Sequence, residues 1–149
     1  MNELPSIRNF LSKYFPVFMG AIFASIFTLV FAVPLFFESY FRNLPFADNA
    51  KYSFFGGIAL TLIVVHCNFM VARGRPQWVR PLVVLLALCF LGVLPTIAYE
   101  VHPLVYAVTL LFPLLALLLL NSKRHREMRQ KLLEVRHLRQ AFIAKHKAR

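Results

Sequence analysis

LLLLNSKRHREMRQK, residues Leu117–Lys131, passes within two positions from unbroken hydrocarbon to a run of cations. The apolar half belongs in lipid and the basic half beside anionic headgroups, so the stretch reads as the edge of a membrane. Asn121 marks that edge, and the rest of the chain can be sorted by which solvent each segment prefers.

Of 149 residues, 59% are hydrophobic and the mean hydropathy is +0.64, more apolar surface than a soluble core of this size uses. The formal charge of +11, from 17 Lys and Arg against 6 Asp and Glu, suggests nucleic acid or an anionic membrane surface as a partner. Four stretches, 15–37, 52–72, 79–99 and 104–120, carry no Asp, Glu, Lys or Arg apart from Arg80 at the rim of the third. About 20 residues at about 1.5 Å each cross a hydrocarbon layer of about 30 Å, so each is a candidate span. None shows the polar stripe of a helix in a water-soluble bundle. The expected fold is therefore an all-α membrane protein. A bundle of four transmembrane helices (15–120) follows a short interfacial helix (1–14) and precedes a basic amphipathic C-terminal helix (121–149). A cleaved signal peptide is rejected for the first span, because its apolar core is too long and FAVPLFFESY (31–40) offers no small-residue cleavage site.

Charge orders the connections. Arg8 and Lys13 precede the first span, Arg42 and Lys51 lie between the first and second, and Arg73, Arg75 and Arg80 mark the turn into the third; the third and fourth have no cation between them, and ten follow the fourth. The positive-inside rule then puts the N-terminus, the ARGRPQWVR loop (72–80) and the tail in the cytoplasm of a bacterial inner membrane. The 38–51 loop and the Glu100 hairpin fall outside. Tyr14, Tyr52, Trp78, Tyr99 and Tyr106 sit near span ends, where an amphipathic ring prefers the headgroup zone. In segment 1–14, Leu4, Ile7, Phe10 and Leu11 lie at helical spacing opposite Arg8 and Lys13. Tyr40, Phe41, Leu44 and Phe46 make the outer loop one that rests on the membrane or docks a partner.

Gly20, Ala24, Thr28 and Ala32 recur every four residues, giving the first span a flat face suited to close helix contact in lipid. Gly56 and Gly57, with Thr61, offer a matching patch on the second. Packing within the monomer is the expected use, and self-association the alternative. Pro34, Pro95 and Pro113 each remove a backbone donor inside a span.

Polar groups within the spans are few. His66, Cys67 and Asn68 are consecutive and point about 100° apart, so they cannot share one metal. His66 and Asn68 are candidate intramembrane polar contacts, expected to bond a neighbouring helix, with a proton relay or ligand contact as the alternative. Glu38, Glu100 and His102 form a candidate polar site at the outer end, against the simpler reading of exposed helix-end charges. Cys67 and Cys89 read as apolar fillers. No nucleophile–base pair, Gly-rich phosphate loop or metal-ligand spacing occurs, so neither an enzyme, a cofactor nor a metal is expected.

The tail holds its ten cations against Glu127 and Glu134. Met128, Lys131, Leu132, Val135, Leu138, Arg139 and Phe142 fall on one helical arc, and with no Gly or Pro to stop it a helix is expected to continue straight out of the fourth span. Arg124, Arg126 and Arg129 lie nearest the seam. The tail is expected to adhere to anionic lipid, or to pair with a copy of itself or a membrane-protein partner. Nucleic acid is set aside, because the cations are few and no aromatic residues interleave with them.

With Arg73-Gly74-Arg75-Pro76-Gln77-Trp78-Val79-Arg80 closing the second span, the chain resembles small four-span inner-membrane proteins of bacteria in which that span ends in a Gly-Arg and Trp-bearing basic loop. The resemblance implies a multi-pass helical architecture and no particular activity. Four-span thiol oxidases share the span count but need outward-facing cysteine pairs, which this sequence lacks. The expected role is a non-catalytic accessory or scaffold subunit. The alternatives are an immunity-type protein against a pore-forming toxin and a small transporter or channel.

Overall fold

The computed structural model describes residues 7–147. Five helices follow one another: α1 (Ile7–Tyr40), α2 (Phe46–Ala72), α3 (Val79–Val93), α4 (Pro103–Asn121) and α5 (Lys123–Lys147). Short 3₁₀ segments at Pro76–Trp78 and Leu94–Tyr99 flank α3, and no strand occurs among the described residues. Four stretches, Ser12–Tyr40, Phe46–Ala72, Pro76–Tyr99 and Pro103–Asn121, are long and apolar enough to cross a membrane. Helix is the local answer there because hydrocarbon offers no partner to a free N–H or C=O, and a helix satisfies both within one segment. Phe23, Val30, Phe54, Leu62, Leu88, Leu111 and Leu118 point outward around the bundle. A belt of that composition matches acyl chains and would be an aggregation surface in water. The chain is thus an all-α, multi-pass membrane protein.

The centre of the bundle is α1, with 44% of its span buried against 22% for each of the other three. Ala21, Ala24, Ser25, Thr28 and Ala32 form its buried face, and its broadest contact is with α4. The Ser25 and Thr28 hydroxyls donate to the Ala21 and Ala24 carbonyls at 2.7 Å, so they leave no unmet bond in the core. A Cβ on Gly20 would stand 3.4 Å from Leu119 Cδ1 of α4, and Phe27 and Phe31 stack on Phe112 at 5.3 and 5.5 Å between centroids. The small-residue face of the first span is therefore an internal seam. The patch on the second span behaves differently. Gly56 receives the Phe37 ring, 3.6 Å from where a Cβ would be, whereas Gly57 meets nothing within 4 Å and faces an open groove between α1 and α2.

Three expectations are revised. The N-terminal segment is not a separate interfacial helix: from Ile7 it is the first part of α1, which runs on through Pro16. Nothing between Arg8 and Phe15 breaks a helix, and the donor lost at Pro16 costs a single bond. Leu4, and the side chains of Ile7, Arg8 and Leu11, lie outside the described residues. The outer loop is shorter than 38–51, because α1 reaches Tyr40 and α2 begins at Phe46, leaving 41–45 as the turn. Asn49 secures that turn, its Nδ2 donating to Phe37 O at 3.3 Å. The third revision is at the seam: α4 stops at Asn121, and α5 does not continue its line. Of the span prolines, Pro34 and Pro113 are absorbed within helices, while Pro95 lies in the 3₁₀ stretch that ends at Glu100, a residue in left-handed conformation (φ 56).

Candidate functional site

Ser122 makes the elbow. Its ψ of 148° takes the backbone out of the helix, its Oγ donates to Leu119 O at 2.8 Å and accepts from His125 N at 3.3 Å, and its carbonyl accepts from Arg126 N at 3.1 Å. This is a serine N-cap, which satisfies a donor that the first turn of α5 would otherwise leave free. The new helix folds back beneath the bundle, against α1, α4, the end of α2 and the Pro76–Trp78 turn.

Three contacts hold it there. Tyr14, 2% exposed, donates its hydroxyl to Glu127 Oε2 at 3.0 Å, and Lys13 Nζ lies 3.6 Å from the same oxygen. Lys131 sits 5.4 Å over the Tyr14 ring. The Tyr14 hydrogen bond, with Lys13 next in effect, holds the Glu127 carboxyl below its ordinary value. The second contact is backbone to backbone: Gly74 has φ 76, a Cβ on it would stand 2.6 Å from Leu132 O, and Arg136 Nη1 donates to Gly74 O at 3.4 Å. The third is apolar, with Met128 and His125 buried under the bundle and Phe18 6.2 Å from the His125 ring.

His125 is 1% exposed and neither ring nitrogen has a hydrogen-bond partner. Burial, reinforced by the Arg129 charge, pushes its pKa down to about 4. The unfolded chain binds this proton near its ordinary value of 6.5 and the folded chain only near 4, so protonation favours release of the elbow. Thermal unfolding in detergent should therefore show stability falling as pH drops from about 6.5 toward about 4. The variant His125→Phe should be flat across that interval, and an unchanged slope would mean that another group titrates there.

Beside His125, Arg129 has its Nε buried without a partner. Its side chain separates a slot between α3 and α4 from a smaller groove along α5. The arc expected on the tail is divided. Met128, Lys131 and Leu132 turn to the bundle, while Val135, Leu138 and Phe142 stay exposed with Arg139, joined by Ile143, which the arc omitted. Arg124 and Arg126 are also exposed.

The candidates within the spans do not meet. His66 lies on the outer surface, its ring edge-on to Trp78 at 5.1 Å. Asn68 is buried, yet its Nδ2 donates to Val64 O of its own helix at 2.9 Å and its Oδ1 has no partner. The expected bond to a neighbouring helix is absent from both, because the i−4 carbonyl is the nearer acceptor for Asn68. At the opposite end, Glu38 and Glu100 are exposed without a hydrogen bond or ion pair among the described residues, and His102 caps α4, its Nδ1 accepting from Leu104 N at 3.3 Å. No group of three His, Cys, Asp or Glu that could hold a metal forms among the described residues. That end is closed instead by residues expected in the outer loop together with others at the end of the third span. Tyr40 Oη donates to Gly92 O at 3.1 Å, Arg42 donates to Tyr99 O, and the Arg42 guanidinium lies 5.2 Å over the Tyr99 ring. No protein-family model, curated protein or solved structure matches the chain.

Proposed function

We propose that the protein is a non-catalytic scaffold of a bacterial inner membrane, both ends of the described chain facing the cytoplasm, which presents α5 to a membrane-protein partner or to a second copy. The carrying observation is the division of α5. Its first half is fixed to the bundle as far as Arg136, whereas from His137 to Lys147 every residue is exposed. Leu138, Phe142 and Ile143 line one side of that free half, with Arg139, Lys145 and Lys147 nearby in sequence. A helix held rigid at one end loses little freedom when its other end docks, which favours binding over mere charge display. The orientation is supported by α5 and the start of α1 sharing one end of the bundle, where the Arg73–Arg80 turn also lies. A transporter reading has less behind it, since His66 faces outward and Asn68 bonds its own helix.

Amine-reactive crosslinking in native membranes, followed by purification, tests the proposal. The pair Leu138→Glu and Phe142→Glu should abolish the crosslinked species while thermal unfolding of the bundle stays unchanged. Adducts as abundant as those of the original chain would rule out the free half of α5 as the contact.

A further inference from the structure

Arg129 stands where hydrocarbon and charge meet. Val79 and Val83 of α3 and Leu117 and Leu120 of α4 line a slot of about 360 Å³ whose polar end is Asn121 and Arg129. On the other side of the guanidinium, Pro76, Arg126, Gln130 and Leu133 line a groove of about 230 Å³. No carboxylate lines either space, and the one ion pair among the described residues, Lys13–Glu127, is formed elsewhere. Arg126 donates to the Asn121 side chain, which brings a second guanidinium to the mouth of the slot. The Nε of Arg129 is left buried without an acceptor, a costly state for a charged donor. Burial and the neighbouring Arg126 both weaken the hold of Arg129 on its proton, yet a guanidinium remains charged, so the arrangement calls for an anion.

We infer that this is a binding site for one anionic glycerophospholipid, its phosphate against Arg129, Arg126 and Gln130 and one acyl chain in the slot between α3 and α4. Each half of the site selects for a part of that molecule. Guanidinium forks suit phosphate oxygens, and basic pockets at the cytoplasmic ends of spans are where acidic headgroups bind. The four aliphatic side chains suit a hydrocarbon tail, which a soluble phosphate would not supply. A choline headgroup would bring its own cation against two arginines. The site is distinct from the free half of α5 and stands whether or not that half binds a partner.

Thermal unfolding of the full chain in a neutral detergent, titrated with phosphatidylglycerol or phosphatidylcholine, reads this directly. Phosphatidylglycerol should raise the unfolding temperature saturably and phosphatidylcholine should not. Arg129→Gln should weaken the apparent affinity about tenfold or more, the range for losing a charge-assisted bond. Arg139→Gln, which removes an exposed cation of the free half, should change it less than about threefold. Because Arg129→Gln also alters a buried position, Val83→Trp provides the second arm: it fills the slot from a half-exposed site, and should cut the affinity similarly while leaving unfolding without lipid unchanged. Equal response to the two lipids, equal loss at Arg139 and Arg129, retention of affinity in Val83→Trp, or full protection by inorganic phosphate alone would each overturn the assignment.

Discussion

Gly74→Ala should detach α5 from the bundle. The backbone at this residue is left-handed, φ 76, which costs an L-residue about 1–2 kcal/mol. The added methyl would also stand 2.6 Å from Leu132 O, a backbone atom with no rotamer to escape into. The clash vanishes if the loop and α5 separate, whereas the left-handed backbone is held by the turn that closes α2 and keeps its cost, so separation is the expected response to the clash. Hydrogen exchange in detergent should show α5 losing protection from Met128 onward while α1 to α4 keep theirs, and proteolysis at the α5 cations should quicken. Gly57→Ala is the control: its methyl would meet nothing within 4 Å, and in a helix interior alanine is favoured by about 0.5–1 kcal/mol. If α5 in Gly74→Ala stays as protected as in the original chain, the Gly74–Leu132 approach is not what fixes it.

Ala24→Leu should produce the largest loss in the membrane half of the molecule. Ala24 is 4% exposed, so the three added carbons have to push α1 from its neighbours. Overpacking of this kind costs about 1–3 kcal/mol per site. Gly20→Leu should add to it, because its first added carbon would already stand 3.4 Å from Leu119 Cδ1. The double variant should unfold at a clearly lower temperature in detergent than either single one. No change in unfolding temperature would place this face against lipid instead of α4.

The spans were legible because solvent preference is written in composition: a run without charge has few ways to be folded, and all four runs became helices. The flat face at Gly20, Ala24, Thr28 and Ala32 was legible for a related reason, since its period of four matches the turn of the helix. The elbow was not. Ser122 is a good N-cap, but the residue three positions on is His125 where a capping box would carry Glu or Gln, and no Gly or Pro marks a break between the fourth span and the tail. Nor could spacing along α5 show that its arc is shared between two environments, because that depends on how far the bundle extends beneath it. The fate of His66 and Asn68 was equally hidden. Two neighbours on one helix face different directions, and which one turns inward depends on how α2 is rotated against α1. At the far end, Tyr40, Arg42 and Tyr99 were assigned to loops or anchors, and their joint closure of the helix ends rests on a separation of more than fifty residues.

Because α5 rests on the start of α1, the turn after α2 and the end of α4 together, its seat does not exist until every crossing has been threaded. During synthesis the chain emerges in order, so Tyr14 and Gly74 wait uncovered until the ribosome has delivered the segment that fits them. A copy with one crossing missing or inverted would leave those two surfaces on opposite sides of the bilayer, or without a lid. The seat of the returning helix is thus the last part of the fold to form, assembled from residues at the beginning, middle and end of the chain.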